Sequence, residues 1–390
     1  MGFAPNLVRE AIADLGCKPS GWLLDPFCGT GTTLVECGLQ GINAIGVDAN
    51  PFSAFCSKVK TDWNVDPDEI DSTLERLYGL ADCTNAHAMN STALPQAVRN
   101  GWVSPHIWNK ASTIYGLTRQ VRNLDRRYLL QLAVISAVKE FCANVAFGPE
   151  IYKRTRTHRV GLRWAVSYKA KQIAEDLRGI EAPIQKSRIE ALHGDSRDLQ
   201  FLVDKGFAGQ VQWIITSPPY PTEHDYSRIS RIELELGGFL KAHGDLQAIK
   251  RMQIRSNSKT VYADDRDWEH VKTMRSVNRL VRTLEDLSSQ KSYSFAHRYP
   301  KVIANYFGGL ARHLSSVAEL MPSGGLCLYV LGEQRSYLGV LVPTPDIFIE
   351  IACKRLQSFK LVKRAVVRLR RGTSGTITNL REEAVVLQRR

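Results

Sequence analysis

The stretch "GWLLDPFCGTGTTLVECGLQGINAIGVDANP", residues 21–51, predicts how this chain begins to fold. A short apolar strand ends at Asp25, a glycine turn covers residues 28–31, and the helix "TTLVECGLQ" stops at two glycines. A second strand, "NAIGVDANP", ends at Asp48 and is broken by the following Asn-Pro pair. Strand, glycine turn, helix, strand and acid together open a doubly wound α/β fold.

The same alternation returns twice further along the chain. Strand patterns occur in "IEALHGDSRDL", "VQWIITSPPY" and "LCLYVLGEQ", and "LVKRAVVRLRR" with "REEAVVLQ" predicts a closing hairpin. The segments between them have helical periodicity, most clearly over 128–147 and 166–179. We therefore predict one Rossmann-like α/β sheet with a closing β-hairpin and two mainly helical inserts. The core comprises 1–62, 189–220 and 301–390, and the inserts comprise 63–188 and 221–300.

Composition limits the classes of protein that fit. The 390 residues are 44% hydrophobic and 23% charged, as in ordinary globular proteins. No run approaches 18 apolar residues and no basic-then-apolar leader opens the chain, so we expect no membrane span and no secretion. The eight cysteines form no C-x-x-C pair and no close Cys/His group. We therefore expect no metal site and a reducing, cytoplasmic location.

The charge balance points to a polyanionic partner. The formal net charge is +13 and the pI is near 9.4. A basic excess of this size suits nucleic acid, with a solvated basic surface as the alternative.

The glycine turn "DPFCGTGTTL" has the chemistry of a ligand-binding loop. Its glycines allow backbone N–H groups to approach a ligand at an electropositive helix start. Leu34 replaces the third glycine of G-x-G-x-x-G, and no Gly-Lys-Ser/Thr follows. Asp48, 17 residues after Gly31, can accept hydrogen bonds from ribose hydroxyls. The pattern predicts a nucleoside-bearing cofactor without a pyrophosphate.

The tetrapeptide Ser217-Pro218-Pro219-Tyr220 ends a predicted strand. Proline carbonyls accept hydrogen bonds and the fixed φ holds them in place, while a tyrosine ring offers a flat stacking face. Such groups suit a planar base with an exocyclic amine. Hydrogen bonds to Ser217 and the Pro218 carbonyl would draw that amine toward tetrahedral geometry and free its lone pair.

"DPFCGTGTTLVE" together with "TSPPY" resembles the amino-methyltransferases of DNA, which use S-adenosylmethionine. The resemblance covers about 1–62 and 189–222, and 300–390 more loosely. It implies that the first-strand acid and the glycine turn bind the methionine end of the cofactor, that Asp48 binds the ribose and that Asp195 receives the adenine amine. A helix N-cap is the alternative role for Asp195 or Ser196. The opening "FAPNLVREAI" resembles the element before the glycine motif, and because it begins at residue 3 the natural N-terminus could lie upstream of Met1. The implied cofactor residues are Phe3, Pro5, Asp25, Pro26, Phe27, Gly29, Thr30, Gly31, Thr32, Asp48, Ala49, Asp195 and Ser196.

The first residue of the tetrapeptide bears on the target base. Serine there resembles enzymes that modify cytosine N4, whereas Asp or Asn is commoner for adenine N6. The alternatives are an adenine N6 enzyme, an RNA amino-methyltransferase and a non-catalytic nucleic-acid-binding protein. Cytosine C5 chemistry is excluded because it needs a thiolate, usually from a Pro-Cys pair, and no cysteine follows a proline. The resemblance also implies that a cognate restriction or defence nuclease could accompany the enzyme.

Contacts to nucleic acid are predicted in two places. Basic residues alternate with aromatic ones over 152–171, and Arg228 and Arg231 follow the tetrapeptide. Solvated helix charges are the alternative in both places. A duplex substrate would require base flipping. The candidates in the first segment are Lys153, Arg154, Arg156 and Arg159.

Overall fold

The computed structural model describes residues 4–83, 94–147, 151–154, 160–180, 187–221, 225–292, 296–335, 338–371 and 379–390. The helices are α1 (Pro5–Asp14), α2 (Thr32–Leu39), α3 (Pro51–Thr61), α4 (Asp68–Cys83), α5 (Gln96–Arg99), α6 (Pro105–Leu117), α7 (Leu124–Ala137), α8 (Leu162–Arg178), α9 (Gln200–Leu202), α10 (Tyr226–Ile229), α11 (Arg231–Leu236), α12 (Asp245–Met252), α13 (Arg275–Ser289), α14 (Tyr299–Leu320) and α15 (Thr344–Glu350). The strands are β1 (Trp22–Asp25), β2 (Asn43–Asp48), β3 (Val145–Phe147), β4 (Ile151–Lys153), β5 (Ile189–His193), β6 (Val211–Thr216), β7 (Leu326–Gly332), β8 (Gln334–Arg335), β9 (Leu341–Val342), β10 (Phe359–Arg371) and β11 (Asn379–Arg389).

Seven strands form one sheet in the order β10-β11-β7-β6-β1-β2-β5. The five strands from β7 to β5 are parallel, and β11 pairs antiparallel with both β7 and β10. The strand order reverses between β1 and β6, which is where doubly wound sheets bind their ligands. The predicted α/β sheet with a closing hairpin is confirmed.

The central strands are buried on both faces, as parallel strands covered by helices require. On one face α14 supplies the largest apolar surface, including the fully buried Tyr306 and Phe307, together with α13 and α15. On the other face α1 and α2 cover β1 and β7 through residues such as Val8 and Leu34. The α/β core therefore has three layers, helix–sheet–helix.

The first insert has a hydrophobic core of its own, built on α4 to α8. Helix α7 is capped by Asn123, whose side chain accepts from the Arg126 N–H, and the helix continues as a π-helical turn over residues 138–142. The helix predicted over 128–147 therefore ends earlier, because residues 145–147 pair with β4 in a small hairpin. Three-residue strands are too short to show the period-2 pattern, and the sequence did not predict this hairpin.

The second insert is helical only in parts. Helices α10 to α13 are present, but residues 253–274 are mostly irregular and contain two 3₁₀ turns. Ion pairs hold this segment: Arg255 with Asp265 at 2.7 Å, and Arg197 with Asp267 at 2.6 Å. Apolar residues of α11 and α12 also enter the core of the first insert, so the two inserts pack together. Within the described ranges, no helix combines the length and hydropathy that a membrane crossing needs.

Candidate active site

The carboxyl ends of β1, β2 and β6 bring the predicted cofactor and catalytic residues to one edge of the sheet. Asp25 ends β1 and is 2% exposed. The Thr216 hydroxyl, at the end of β6, donates to Asp25 Oδ1 at 2.6 Å, and the Phe27 N–H donates to the same oxygen at 3.1 Å. This bond fixes the start of the Ser217–Tyr220 tetrapeptide directly beside the glycine turn.

The glycine turn requires glycine at two positions. Gly29 and Gly31 have φ of 53° and 87°, a region that other residues rarely occupy. A Cβ on Gly31 would lie 2.9 Å from the Ser57 Cα, whereas a Cβ on Gly29 would meet no atom within 4 Å. The turn thus packs tightly against α3 on one side and opens to free space at Gly29. A ligand can approach the backbone there.

Asp48 has acceptor capacity to spare for a ligand. Its Oδ2 accepts from the Gly29 N–H at 2.9 Å and its Oδ1 accepts from the Asn50 N–H at 2.7 Å. A carboxylate has about four acceptor sites, so about two remain. Two vicinal hydroxyls of a ribose would match them.

Burial makes ionisation of both Asp25 and Asp48 less favourable in this site. Burial raises the pKa of Asp25 to about 6, although the bonds from Thr216 and Phe27 oppose the rise. Burial also raises the pKa of Asp48 to about 6, and the charge of Asp25 adds to that rise. A ligand that brings hydroxyl donors or positive charge would favour the ionised forms. The electrostatics therefore fit a cationic nucleoside.

The third predicted acid, Asp195, already accepts hydrogen bonds from a neighbouring arginine. Arg197 donates to both carboxylate oxygens, with Nη2 at 2.6 Å from Oδ2 and its own backbone N–H at 2.9 Å from Oδ1. Asp195 does not cap a helix, because α9 starts after Leu199. An adenine amine would share this carboxylate with Arg197, and the adenine role of Asp195 stays a prediction.

The neighbouring Ser196 faces the protein interior. Its hydroxyl donates to the Pro26 carbonyl, and its own carbonyl lies 2.7 Å from His313 Nδ1. His313 is completely buried, contacts the Tyr329 hydroxyl at 2.9 Å, and packs against the Phe27 ring. Burial lowers the pKa of His313 to about 4, so this histidine is neutral and supports the turn.

The remaining predicted cofactor residues lie around the same turn. Lys60 donates to the Thr30 carbonyl at 2.9 Å, and the Ala49 carbonyl lies 3.2 Å from His193 Nε2. Thr32 is the first residue of α2, and Pro5 is the first residue of α1. Phe3 lies outside the described residues.

The tetrapeptide is held by residues remote in sequence. The Ser217 hydroxyl donates to the Tyr220 hydroxyl at 3.4 Å, and Tyr220 donates to Glu382 Oε1 at 2.9 Å. The Arg370 guanidinium lies 5.2 Å from the Tyr220 ring centroid. A Cβ on Gly332 would lie 2.3 Å from Arg370 Nη2 and 3.0 Å from the Tyr220 ring. The tyrosine is therefore packed between β7 and the closing hairpin.

Helices after the tetrapeptide add further contacts. Tyr299 of α14 donates to the Pro221 carbonyl at 3.3 Å. The Tyr226 hydroxyl interacts with the Tyr220 backbone, and Tyr226 as a residue is 36% exposed. Sequence patterns did not identify Glu382, Arg370 or Tyr299 as site residues. The one available signal was the pair of consecutive glutamates inside the strand "REEAVVLQ".

The predicted nucleic-acid residues are scattered. Lys153 and Arg154 are exposed at the small hairpin of the first insert, and Arg156 and Arg159 lie outside the described residues. Arg228 is half-buried in α10. Arg231 donates to Gln96 Oε1 at 2.6 Å and lies 3.7 Å from Glu235, so it connects α11 to α5. The structure therefore places Arg231 in a packing role.

A cavity of about 850 Å³ opens beside Pro51 and His193 against α6, α11 and α12, and the glycine turn and tetrapeptide do not line it. Across the described ranges, no group of three or more His, Cys, Asp or Glu side chains is arranged to hold a metal.

The comparisons agree with this geometry. Residues 3–54 match the family described as DNA methylase, N6/N4 type. Type II methyltransferase M.BsoBI of Geobacillus stearothermophilus is 21% identical over 96% of this chain and 80% of its own length. Type II methyltransferase M.MjaII of Methanocaldococcus jannaschii is 53% identical over 58 residues, 15% of this chain and 11% of its own. A tRNA (guanine(10)-N2)-dimethyltransferase of Methanothermobacter thermautotrophicus is 35% identical over 82 residues, 20% of each chain.

Similar solved structures are more distant. TrmN of Thermus thermophilus aligns with 100% of this chain and 49% of its own, at 10% identity and a TM-score of 0.33. The rRNA methyltransferase aviRa of Streptomyces viridochromogenes aligns with 100% of this chain and 86% of its own, at 12% identity and a TM-score of 0.34. The sheet order, the glycine turn and the Ser217–Tyr220 tetrapeptide at the end of β6, called the S-P-P-Y tip below, define an enzyme of the methyltransferase class. The chain is similar to DNA amino-methyltransferases of the N4/N6 family, through the family match over residues 3–54 and through a type II methyltransferase aligned over almost its whole length, and methyltransferases of this family use S-adenosylmethionine.

Proposed function

We propose that this enzyme transfers the methyl group of S-adenosylmethionine to the N4 amine of cytosine in DNA. The observation behind the proposal is the Thr216–Asp25 hydrogen bond of 2.6 Å, which joins the S-P-P-Y tip to the cofactor acid. Serine in the first position of the tip favours cytosine N4 over adenine N6. Two relatives are named as type II methyltransferases, which supports DNA as the substrate.

The cofactor residues fit S-adenosylmethionine. Asp48 would bind the ribose hydroxyls, Gly29 would allow the backbone to contact the ligand, Gly31 would let the turn pack on α3, and Asp25 would stabilise the cationic methionine end. Bound there, the cofactor supplies an electrophilic methyl group on a positively charged sulfur. The protein must then present a nucleophilic nitrogen in line with that methyl group.

The tetrapeptide would activate the exocyclic amine nitrogen of the target base. The hydroxyl of Ser217 and the carbonyl of Pro218 accept the two amine hydrogens, while the Tyr220 ring stacks on the base. These contacts favour a tetrahedral nitrogen whose lone pair is no longer conjugated with the ring. In duplex DNA the base has to leave the helix to reach them, so base flipping is part of the proposal.

A radiolabel experiment tests the target. Unmethylated DNA is incubated with methyl-labelled cofactor and digested to nucleosides. Label in N4-methylcytosine is the expected result. Label in N6-methyladenine would keep the mechanism and overturn the base assignment, and label in RNA but not in DNA would overturn the substrate class.

Point variants test the catalytic roles. Ser217→Ala and Tyr220→Ala should abolish transfer with cofactor affinity near that of the wild type, because the proposed role of both side chains is to hold the target base. Calorimetry with the cofactor gives the affinity and confirms that each variant is folded. Full activity in either variant would contradict the assignment. Cytoplasmic location and pairing with a cognate nuclease belong to the same proposal, and a nuclease that cleaves unmethylated but not methylated DNA would support the pairing.

A further inference from the structure

The closing hairpin presents arginine side chains at the catalytic edge of the sheet. Strand β10 contains six Lys or Arg residues and no Asp or Glu. Four arginines of the hairpin lie against three glutamates that are almost fully buried. The arginines are Arg364, Arg368, Arg370 and Arg381, and the glutamates are Glu333, Glu382 and Glu383. These three carboxylates lie inside and the guanidinium groups lie further out, so the surface of the network is cationic except at Asp346, which is 49% exposed and pairs with Arg364.

Two of the arginines are well exposed. The Arg368 side chain is 65% exposed and the Arg381 side chain is 45% exposed, while their carboxylate partners are each 6% exposed. Arg368 Nη2 lies 3.2 Å from Glu382 Oε1, and Arg381 Nη2 lies 2.5 Å from Glu333 Oε1. The buried carboxylates restrict the arginine rotamers, which lowers the entropy that binding an anion would cost.

The position of the network relates it to the target base. Glu382 pairs with Arg368 across the hairpin and also accepts the Tyr220 hydroxyl. One carboxylate therefore contacts both the exposed arginine and the tyrosine that would stack on the base. Glu333 directly follows β7, at the same edge of the sheet.

We propose that Arg368 and Arg381 bind the DNA phosphates that flank the flipped nucleotide, so that the closing hairpin is part of the DNA interface. The proposal rests on the proposed function, because it takes DNA as the substrate. Arginine suits this role since its planar fork binds phosphate oxygens in pairs. The predicted contacts in the first insert would then be additional to the hairpin.

The test measures binding of a random-sequence duplex by fluorescence anisotropy at several salt concentrations, without cofactor. Arg368→Gln and Arg381→Gln are compared with Lys363→Gln, which removes one charge from the same strand. Lys363 is 64% exposed and lies 3.8 Å from Asp14 of α1, away from Tyr220. Each lost phosphate contact should lower the slope of log Kd against log salt by about 0.9.

We expect the two arginine variants to show that decrease and the lysine variant to keep the wild-type slope. The cofactor affinity of all three should match the wild type, which shows that they are folded. Equal slopes for the arginine variants, Lys363→Gln and the wild type would overturn the proposal. Because the assay needs no methyl transfer, failure of the hairpin proposal is distinguishable from failure of the proposed reaction. An enzyme that binds duplex normally but modifies RNA would instead contradict the proposed function.

Discussion

At the residue scale, the hydrogen bond between Tyr220 and Glu382 is the contact most open to measurement. Glu382 touches no substrate in the proposed mechanism, so it acts as a positioning residue. Glu382→Ala should lower kcat about tenfold, equivalent to ~1.4 kcal/mol, with unchanged cofactor affinity. Glu382→Gln retains an oxygen acceptor and should recover part of the loss.

A double-mutant cycle separates positioning from general damage. In a Tyr220→Phe background the hydroxyl is absent, so Glu382→Ala should cause little further loss of kcat. If the alanine substitution costs the same in both backgrounds, Glu382 does not act through Tyr220.

Asp25 gives a prediction about pH. Its pKa in the folded protein is about 6, above the ordinary value of 3.8, so the native state binds more protons than the unfolded state between those values. Stability of the ligand-free enzyme should therefore fall as pH rises from about 4 to 6 and then level off. Asp25→Asn removes the Asp25 part of this effect, while the raised pKa of Asp48 keeps the rest, and the melting temperature of the variant should exceed that of the wild type increasingly over the same range.

The control for that measurement is Asp71→Asn, since Asp71 is exposed in α4. The full stability difference at pH 7 is of the order of 2–3 kcal/mol, from about 1.4 kcal/mol for each pKa unit. The Asn variant should also lose cofactor affinity. A constant difference in melting temperature at every pH would show that the raised pKa of Asp25 is not the cause.

At the scale of the elements, the adjacent glycines Gly308 and Gly309 of α14 allow two alanine substitutions to be compared in one helix. A Cβ on Gly308 would lie 1.9 Å from the Asp267 carbonyl oxygen, whereas a Cβ on Gly309 would lie 3.4 Å from its nearest neighbour. Alanine normally stabilises a helix interior by about 1 kcal/mol relative to glycine. Gly308→Ala should instead destabilise the protein, by roughly 1–3 kcal/mol, because residues 267–268 must move.

Denaturation of both alanine variants checks this. Gly309→Ala should lie within about 1 kcal/mol of the wild type, because its Cβ would make only tight van der Waals contact. Similar stabilities for the two variants would mean that the segment around Asp267 does not pack on α14 as described.

The elements also show how far sequence patterns reach. The core strands were predictable because each is a short apolar run ended by an acid, a proline or a glycine. Asp25, Asp48 and the S-P-P-Y tip could be predicted as site residues because each lies at the end of a predicted strand. Glu382 could not be predicted, since its place beside Tyr220 depends on the register of β11 against β7. The irregular segment 253–274 was predicted to belong to a mainly helical insert, whereas its charged residues form buried ion pairs in an irregular backbone.

At the scale of the whole molecule, binding of the cofactor should stabilise the fold. A ligand at a hundredfold excess over its Kd adds about 2.7 kcal/mol to the free energy of unfolding. The enzyme should therefore melt at a higher temperature with S-adenosylmethionine, and Asp48→Asn should show a much smaller shift at the same concentration. An equal shift in that variant would exclude Asp48 as a ribose ligand.

The order of strands along the chain has a consequence for synthesis. Strands β1 and β2 are translated first, but 140 residues separate Asp48 from Ile189 at the start of β5. At about 5–20 residues per second, the nascent pair waits roughly 7–30 s on the ribosome with both outer edges unpaired. Helices α4 to α8 emerge during this interval, while the sheet cannot form. Slower growth at low temperature, or a co-expressed chaperone, should therefore raise the soluble yield of the full chain.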